Sequence, residues 1–320
     1  MLPSTLGSVS LRRRAVRAAV ASAAVVLLTA TAACSHTAEP GTRDTTTASD
    51  TTTPSGASAR AGHRVQKLLV FVVENHSMDQ MQHGMPWVYR FAKRYGHTTR
   101  YRAVTHPSLP NYLAIAGGST FGVTDDASPA SHPLSGPSVF GAAVAHGSTA
   151  RLYAEGMASR CQLEPSGRYA VKHNPWAYFT DERAACARDD VPLRRYGRDV
   201  DAGRLPAVGM VIPDLCNDAH DCGLGTADQW LRAKIRRALA GPDWRAGRLA
   251  IVVTADEDDR NHGNRVLTVV AHPSVRNAVV RTRLSHYSLT RSYADVAGIP
   301  APRQGAGARS LLRQFGLVAG

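Results

Sequence analysis

After its first 34 residues, the 320-residue sequence lacks any long uninterrupted hydrophobic run. A membrane-spanning helix needs about 20 apolar residues in succession, so a protein with several membrane spans is excluded. The composition is otherwise balanced, with 43% hydrophobic and 20% charged residues. That balance excludes a wholly disordered chain and a collagen-like chain, and it predicts a folded protein with a hydrophobic core.

Acidic residues are scarce relative to basic ones, since 25 Asp and Glu stand against 38 Lys and Arg, for a formal net charge of +13. The first 34 residues hold four arginines and no acid, so the remainder carries +9. A basic surface attracts anionic partners. Nucleic acid is not the expected partner, because the arginines are dispersed and aromatic residues make up only 6% of the chain.

The N-terminus has the pattern of an export signal. A basic segment, 12–17, precedes the apolar run 18–29 and small residues that end at Cys34. Small residues before a cysteine resemble a bacterial lipobox, in which the cysteine is lipidated. We therefore expect residues 1–34 to be a signal peptide and Cys34 to anchor the exported chain to the cell membrane. Plain secretion is the alternative, and a single membrane-spanning anchor is disfavoured because the apolar run is short.

Residues 35–62 contain almost no bulky apolar side chains and are rich in Thr, Ser, Ala and Gly. Such a segment cannot bury enough surface to offset the entropy of ordering it. The composition predicts a disordered linker that holds the folded part away from a membrane or cell wall. We expect the folded part to be one domain, residues 63–320.

Cysteines are few, and none is arranged as C-x-x-C, which disfavours a zinc site. Four remain besides Cys34, and an even number in an exported chain predicts two disulfides. Four cysteines allow three pairings. Proximity along the chain favours pairs between Cys161 and Cys186 and between Cys216 and Cys222.

Five short apolar runs are typical of strands buried inside a parallel sheet. They lie within residues 67–74, 150–155, 207–214, 249–256 and 265–272. Amphipathic segments such as 227–239 and 288–297 alternate with them and predict helices. Alternating strands and helices predict a layered α/β fold.

Polar clusters follow several of these strands, at Glu74-Asn75, at 214–222 and at 256–259. The carboxyl ends of parallel strands share one edge of a sheet, where ligands bind. Any one cluster could be an ordinary wet loop, but several together point to a site. Carboxylates gathered there would repel each other unless a divalent cation neutralised them. His220 and His286 could add nitrogen ligands.

The segment THPSLPNYLAIAGG, residues 105–118, predicts a helix that begins near Ser108 and ends at the paired glycines. The free N–H groups at such a helix start favour negative charge, either an alkoxide or a phosphate oxygen. A helix-capping role for Ser108 is the alternative.

Five segments together resemble a known family: ENHS at 74–77, the 105–118 segment, IPDLCNDAHDC at 212–222, TADEDD at 254–259 and SHYSL at 285–289. Over about residues 65–305, their order and spacing are similar to those of the phosphoesterases of the alkaline phosphatase superfamily, which include bacterial acid phosphatases and phospholipases C. The resemblance implies an α/β fold in three layers with a mostly parallel central sheet.

The resemblance also implies roles for the matching residues. Ser108 would be the nucleophile, and Asn111 would contact a phosphate oxygen. Further catalytic residues would be His220 and His286. The metal ligands would be Glu74, Asn75, Asp256 and Glu257, to which the 217–221 segment adds Asp218 and Asp221. Additional candidates for phosphate binding are His106, Lys172 and His173.

The implied function is that of an exported phosphomonoesterase, of the acid phosphatase type, with a phosphoserine intermediate on Ser108 and a divalent metal ion. Its substrates would be phosphorylated small molecules or phospholipid headgroups, with phosphoinositides as one candidate. A phospholipase C or phosphodiesterase of the same family remains an alternative, as does a non-catalytic surface lipoprotein that binds a phosphorylated ligand. A serine esterase is disfavoured because no G-x-S-x-G motif occurs.

Overall fold

The computed structural model describes residues 63–320. The predicted signal peptide, the lipidation of Cys34 and the linker 35–62 lie outside the described residues.

Twelve strands are formed by the described residues. They are β1 (His63–Val65), β2 (Lys67–Val73), β3 (Gly96–Thr98), β4 (Tyr101–Arg102), β5 (Ala150–Ala154), β6 (Asp190–Pro192), β7 (Val208–Ile212), β8 (Leu249–Ala255), β9 (Thr268–Ala271), β10 (Ala278–Val280), β11 (Leu284–Ser285) and β12 (Leu317–Ala319). Each of the five predicted apolar runs contains a strand, and four of these strands run parallel to one another. The fifth, β9, is antiparallel to its neighbours, which corrects the expectation for 265–272.

The α-helices within 63–320 are α1 (Met78–Gly84), α2 (Pro86–Arg94), α3 (Ser108–Gly117), α4 (Val139–Ala145), α5 (Arg183–Asp189), α6 (Arg194–Asp201), α7 (Leu224–Ala240), α8 (Pro242–Arg245), α9 (His286–Ala297) and α10 (Gln304–Gly307). Short 3-10 turns lie at Val171–His173, Pro175–Tyr178, Thr180–Glu182 and Leu312–Phe315. The predicted helices 227–239 and 288–297 fall inside α7 and α9. None of the described helices is long and apolar enough to cross a bilayer.

Eight of the strands form one sheet in the order β10-β3-β9-β8-β2-β7-β5-β6. All neighbours are parallel except β9, which runs antiparallel to both β8 and β3. The reversal at β9 follows from its connection, because the 256–267 loop contains no helix and a parallel return needs a crossover. Two small parallel pairs, β1 with β12 and β4 with β11, lie outside this sheet.

The central sheet lies between two groups of helices. On one side α3 and α4 pack against α9, and on the other α1, α2 and α6 pack against α7. Every residue of β8 and residues 68–73 of β2 are buried, as expected for strands covered on both faces. The molecule is therefore the three-layer α/β fold that the sequence predicts.

The end of α3 depends on a glycine. Gly118 has a φ of 69°, and a Cβ at this position would lie 2.3 Å from the carbonyl oxygen of Pro302. Only glycine combines this left-handed conformation with so close a backbone neighbour. The paired glycines of the sequence thus end the helix as predicted.

Both favoured disulfides are present. Cys161 pairs with Cys186 across 25 residues, and Cys216 pairs with Cys222 across six. The pairing based on proximity along the chain is therefore confirmed. The longer bridge ties the loop after β5 to α5, whereas the shorter one closes the loop after β7.

Asp190 at the start of the edge strand β6 is fully buried. Its Oδ2 accepts a hydrogen bond from Asn174 Nδ2 at 2.8 Å, while its Oδ1 has no hydrogen-bond partner within 63–320. Burial raises the pKa of Asp190 from 3.8 to about 7, and the Asn174 hydrogen bond offsets only part of that rise. The folded chain therefore holds a proton that the unfolded chain releases.

We expect Asp190→Asn to become progressively more stable than the wild type as the pH rises from 3.8 to about 7. In that range the Asp190 carboxyl is protonated in the folded wild type and ionised in the unfolded chain. Because the folded state binds more protons, the free energy of unfolding of the wild type falls as the pH rises. The difference should reach roughly 2–4 kcal/mol and level off above the folded-state pKa. Urea unfolding at a series of pH values measures it. Asp79→Asn, at an exposed position, should show no such trend, and a pH-independent difference for Asp190→Asn would contradict the prediction.

Candidate active site

The candidate site lies where the central strands end. Glu74 directly follows β2, Asp256 directly follows β8, and Asp218 lies in the loop after β7. Backbone hydrogen bonds hold these ends together: Glu74 N donates to Asp218 O at 2.8 Å, and Asp256 N donates to Val73 O at 3.0 Å. The parallel arrangement thus brings three buried carboxylates to one edge of the sheet.

Asn75 turns the chain immediately after Glu74. Its φ is 51°, a left-handed conformation that asparagine tolerates better than most residues. The turn lets Asn75 N donate to Asp256 Oδ1 at 3.1 Å, while Asn75 Oδ1 accepts from Ser108 Oγ at 3.3 Å. One residue therefore links β2, β8 and α3.

Ser108 is the first residue of α3, and Pro107 occupies the capping position. The Ser108 hydroxyl donates to Glu74 Oε2 at 2.9 Å and lies beside Asn75. The side chain is buried and does not bond to the backbone of its own helix. The capping alternative is therefore excluded, and the hydroxyl instead joins the acidic cluster.

His173 is the basic side chain inserted among these acids. Its Nε2 lies 3.2 Å from Glu74 Oε2 and its Nδ1 lies 3.2 Å from Asp218 Oδ2. The ring stacks on Tyr112, with ring centroids 5.1 Å apart, and the Tyr112 hydroxyl donates to Glu74 Oε1. Glu74 thus has three neighbours that donate to it or carry positive charge: Ser108, Tyr112 and His173.

The protonation of the site follows from burial and charge. Burial acts to lower the pKa of His173, but Glu74 and Asp218 outweigh it and raise that pKa to about 10. Burial acts to raise the pKa of Glu74, but the charge and hydrogen bond of His173 leave it below its ordinary value. Glu74 and His173 are therefore a buried ion pair.

The other acids of the cluster are in a different situation. Burial and the charge of Glu74 raise the pKa of Asp218, that of Asp256 well above its ordinary value, and that of Glu257 to about 8. One histidine does not neutralise four carboxylates. The remaining repulsion is what a divalent cation would relieve.

The donor atoms present suit such a cation. One carboxylate oxygen of Glu74, one of Asp218 and a ring nitrogen of His173 lie within 4.8 Å of one another, and His173 would have to release its proton before that nitrogen could bind a metal. Asp256 Oδ2 is buried and has no hydrogen-bond partner within the described part of the chain, whereas Asp218 Oδ2 faces only His173 Nδ1. Buried carboxylate oxygens beside an amide oxygen form the donor set that hard divalent cations prefer. The residues at this edge therefore fit a metal ion.

Two other groups of potential ligands are explained without a metal. Asp258, Asp259 and His262 lie together, but the Asp258 carboxylate accepts the backbone N–H groups of residues 260, 262 and 264 and shapes that loop. Cys161 and Cys186 lie near Asp190, but their sulfur atoms are already joined in a disulfide.

Asn111 and His106 lie beside Glu257. Asn111 Oδ1 accepts the backbone N–H groups of Val104 and Thr105, and its Nδ2 donates to Thr105 O, Pro107 O and Glu257 Oε2. His106 Nδ1 is 3.0 Å from Glu257 Oε2 and its Nε2 is 3.4 Å from Asp258 Oδ1. In this structure Asn111 holds the loop that precedes Ser108, and its role in phosphate contact stays a prediction.

Lys172 precedes His173 and forms an ion pair with Asp126, with Nζ 2.9 Å from Oδ2. Burial acts to lower the pKa of Lys172, but Asp126, Glu74 and Asp256 together raise it. The ammonium group is therefore charged and lies in the field of the acidic cluster.

The two histidines predicted to be catalytic are placed differently. His286 is fully buried, with Nε2 2.6 Å from Asp256 O and Nδ1 3.1 Å from the Tyr101 hydroxyl. Burial lowers the pKa of His286 to about 4, so the ring is neutral and both nitrogens have partners. His220 is exposed, with its ring centroid 6.0 Å from that of His173.

Asp221 does not join the buried acids. Its side chain is 55% exposed, and its Oδ1 lies 2.7 Å from His220 Nδ1. The structure thus brings Glu74, Asn75, Asp218, Asp256 and Glu257 together but leaves Asp221 at the surface as a partner of His220.

Sequence reasoning missed two residues that shape the site. Tyr112 lies four residues after Ser108, so the i,i+4 spacing on one helix face was an available signal. Asp126 accepts the Leu109 N–H at 2.9 Å and pairs with Lys172. It comes from a surface loop, and no local pattern of the sequence identifies it.

The shorter disulfide supports the loop that carries Asp218 and His220. Replacing Cys216 and Cys222 by alanine should remove about 2 kcal/mol of stability, and replacing Cys161 and Cys186 should remove about 3 kcal/mol because their loop is longer. We expect the opposite order for activity, since only the shorter bridge restrains site residues. Urea unfolding and phosphate release measured on both double variants test this. Equal losses of activity would contradict it.

Comparisons with known proteins show which family the chain resembles. A model of the Phosphoesterase family matches residues 71–300. The phosphatidylinositol-3-phosphatase of Mycobacterium tuberculosis is 30% identical over 249 residues, covering 77% of this chain and 81% of that protein. The phosphate-repressible acid phosphatase of Penicillium chrysogenum is 27% identical over 220 residues, covering 63% of this chain. The chain spans only 52% of that fungal relative.

Among solved structures, a protein of the alkaline phosphatase superfamily from Vibrio parahaemolyticus is similar, with a TM-score of 0.55 at 10% identity over 78% of this chain and 70% of that one. A sulfatase from Pseudoalteromonas has a TM-score of 0.50 at 10% identity over 80% of this chain and 72% of that one. At such low identity the likeness concerns the fold alone, and it confirms the predicted alkaline-phosphatase-like architecture.

Proposed function

The chain belongs to the Phosphoesterase family and is a hydrolase that acts on phosphoric esters. We propose that it is an exported phosphomonoesterase and that Ser108 is its nucleophile. One observation carries the proposal. The Ser108 hydroxyl stands at the start of α3, bonded to Glu74 and adjacent to Asn75, inside a cluster of acids that suits a divalent cation.

The first half of the reaction forms an ester on the protein. The Ser108 hydroxyl passes its proton to Glu74 Oε2, which accepts its hydrogen bond, and Oγ attacks phosphorus while the bond between phosphorus and the substrate's alcohol oxygen breaks. A divalent cation held by Glu74, Asn75, Asp256 and Glu257, with Asp218 and His173 beside it, would supply positive charge that favours the ionised hydroxyl. Glu74 and Asn75 orient the hydroxyl toward the substrate.

The positive groups of the site act on the phosphoryl oxygens through their charge, since both nitrogens of His173 already face carboxylates. Lys172 and His173 are both charged and lie at the acidic cluster. Fixed positive charges placed where negative charge develops lower the barrier to phosphoryl transfer. Asn111 contributes by fixing the 104–107 loop, and with it the position of Ser108.

Protonation of the leaving alcohol falls to His220. Its ring is exposed, and Asp221 binds Nδ1, which leaves Nε2 as the nitrogen that faces away from that carboxylate. His286 instead positions the backbone of Asp256, because its neutral ring has both nitrogens occupied. Water then attacks the phosphoserine, releases inorganic phosphate and restores the Ser108 hydroxyl.

The substrate class follows from the relatives. Relatives named acid phosphatases and a phosphatidylinositol-3-phosphatase support monoesters, with a phosphoinositide headgroup as one candidate. Two disulfides and the export-type N-terminus support a location outside the cytoplasm, with Cys34 as the membrane anchor. Residues 1–34 would then be the signal, 35–62 the tether and 63–320 the catalytic domain.

Phosphate release by the full chain tests the proposal. We expect hydrolysis of phenyl phosphate and little release of phosphocholine from phosphatidylcholine. Cleavage of the phospholipid without hydrolysis of phenyl phosphate would make the chain a phospholipase C instead. Binding of phenyl phosphate without turnover of either substrate would make it a non-catalytic binding protein.

A further inference from the structure

A second concentration of charge lies beside the catalytic loops. A cavity of about 440 Å³ is lined by Thr99, Arg100, Arg102, Arg265, Arg283 and Leu284. Four of these six residues are arginines, and no acidic residue lines the cavity. All four arginines are exposed, so the cavity presents a concentrated positive charge to anions in solution.

The four arginines are not neutralised from elsewhere in the described part of the chain. None of them forms an ion pair with a carboxylate of residues 63–320. Arg102 Nη1 donates to the Gly263 carbonyl and Arg265 Nη2 contacts Met78 Sδ at 3.2 Å. No side-chain hydrogen bond to another described residue holds Arg100 or Arg283.

Another arginine-rich cavity, near α6, differs in this respect. There Arg151 pairs with both Asp189 and Asp199, Arg188 pairs with Asp189, and Arg195 pairs with Asp199. Half of its six arginines are thus held in ion pairs, whereas none of the four arginines around Arg100 is. The cavity around Arg100 is therefore the better candidate for an external anion.

The backbone joins this cavity directly to the active site. The backbone of Arg102 in β4 forms an isolated antiparallel β-bridge with the backbone of Arg265, and Ala103 N donates to Asn264 O at 2.9 Å. The chain then runs from Ala103 to Ser108, while Asn264 binds Asp258 N and the Thr105 carbonyl. On the opposite side Arg283 and β11 lead directly into His286. An anion bound there would lie next to both loops that position the catalytic residues.

We propose that this cavity is an accessory site for a second phosphate group, distinct from the phosphate that is hydrolysed. Arginine suits this role because its planar guanidinium binds phosphate through paired hydrogen bonds. The second phosphate belongs either to the same substrate molecule or to a neighbouring lipid headgroup. The inference rests on the proposed function, because it extends recognition from the scissile phosphate to a second one.

Direct binding tests the inference without turnover. The full chain carrying Ser108→Ala, with Cys34→Ser to prevent lipid attachment, is titrated calorimetrically with inositol monophosphate and inositol bisphosphate. The test variant adds Arg100→Gln and Arg283→Gln, which remove two charges without breaking a side-chain contact. The control adds Arg232→Gln and Arg236→Gln, two exposed arginines of α7 that remove the same charge outside the cavity.

We expect the bisphosphate to bind roughly ten-fold more tightly than the monophosphate, and the test variant to lose that preference. The control variant should retain it, and added salt should reduce it. A second arm measures sedimentation with vesicles of phosphatidylcholine, with and without phosphatidylinositol phosphate. If the test variant loses binding only to the vesicles, the second phosphate belongs to a neighbouring lipid. If it loses the preference for soluble bisphosphate, the second phosphate belongs to the same molecule.

Unchanged binding in both arms would overturn the inference. That failure is distinct from failure of the proposed function, which would appear as absence of phenyl phosphate hydrolysis by the wild-type chain. The inference and the catalytic proposal can therefore be rejected separately.

Discussion

Replacing Ser108 by alanine should reduce kcat/KM for phenyl phosphate by at least about 1,000-fold while leaving the fold intact. Among residues 63–320 the hydroxyl bonds only to Glu74 and Asn75, so its removal takes away the proposed nucleophile and no hydrogen bond to the described backbone. Alanine is also well accommodated in the first turn of a helix. Steady-state kinetics and thermal unfolding on the same preparation measure both quantities.

Ser138→Ala is the matched control. Ser138 caps α4 through Gly141 N and also bonds to Glu182, so its loss should lower stability by about 1 kcal/mol while activity is retained. Ser108→Ala should behave in the opposite way. Retained activity in Ser108→Ala would return Ser108 to a structural role and remove the basis of the proposed mechanism.

Chelation should abolish activity and lower the melting temperature, and divalent ions should restore both. The reason is the charge of the site, where His173 is the one cation in direct contact with this cluster among the described residues and Lys172 acts on it from a distance, against the four carboxylates Glu74, Asp218, Asp256 and Glu257. A ligand that binds only the folded state raises the melting temperature with its concentration. Titration of chelated protein with calcium, magnesium, manganese or zinc, followed by thermal unfolding, measures this independently of turnover.

Substitution of two aspartates distinguishes metal binding at the buried cluster from non-specific attraction of cations to surface carboxylates. Asp256→Asn replaces a buried, unpartnered oxygen of the cluster, so it should remove the metal-dependent rise in melting temperature and reduce activity at least about 100-fold. Asp221→Asn changes an exposed carboxylate whose one ion-pair partner among residues 63–320 is His220. This variant should keep the metal-dependent rise in melting temperature. Identical responses of the two variants would contradict a site built on the buried cluster.

The sequence was sufficient for the fold because its strongest signals are local. The continuous apolar runs at β2 and β8 are typical of strands covered on both faces, and the glycine pair at 117–118 marked the end of α3. Parallel strands then bring their carboxyl ends together by geometry, which is why Glu74, Asp256 and the 214–222 loop could be placed at one edge. The antiparallel strand β9 escaped prediction because its direction depends on the path of the preceding loop.

The sequence indicated which residues lie near the site better than it indicated which atoms they contact. A motif identifies a residue but not the direction of its polar atoms, and the phosphate contact of Asn111 and the catalytic role of His286 that the resemblance implies stay predictions. In the structure these two side chains bind the 104–107 loop and the Asp256 carbonyl. His173 was one of several phosphate-binding candidates, and only the tertiary structure places it between Glu74 and Asp218. Asp126 comes from a loop without any periodic pattern.

Trapping the covalent intermediate is the most direct test of the central claim. The full wild-type chain is mixed with phenyl phosphate, quenched in acid within a turnover, digested and analysed by mass spectrometry. The mechanism predicts a phosphate on the peptide that contains Ser108, and none on that peptide in Ser108→Ala. A phosphate found on His173 or another side chain, or direct transfer to water with inversion at phosphorus, would contradict the mechanism.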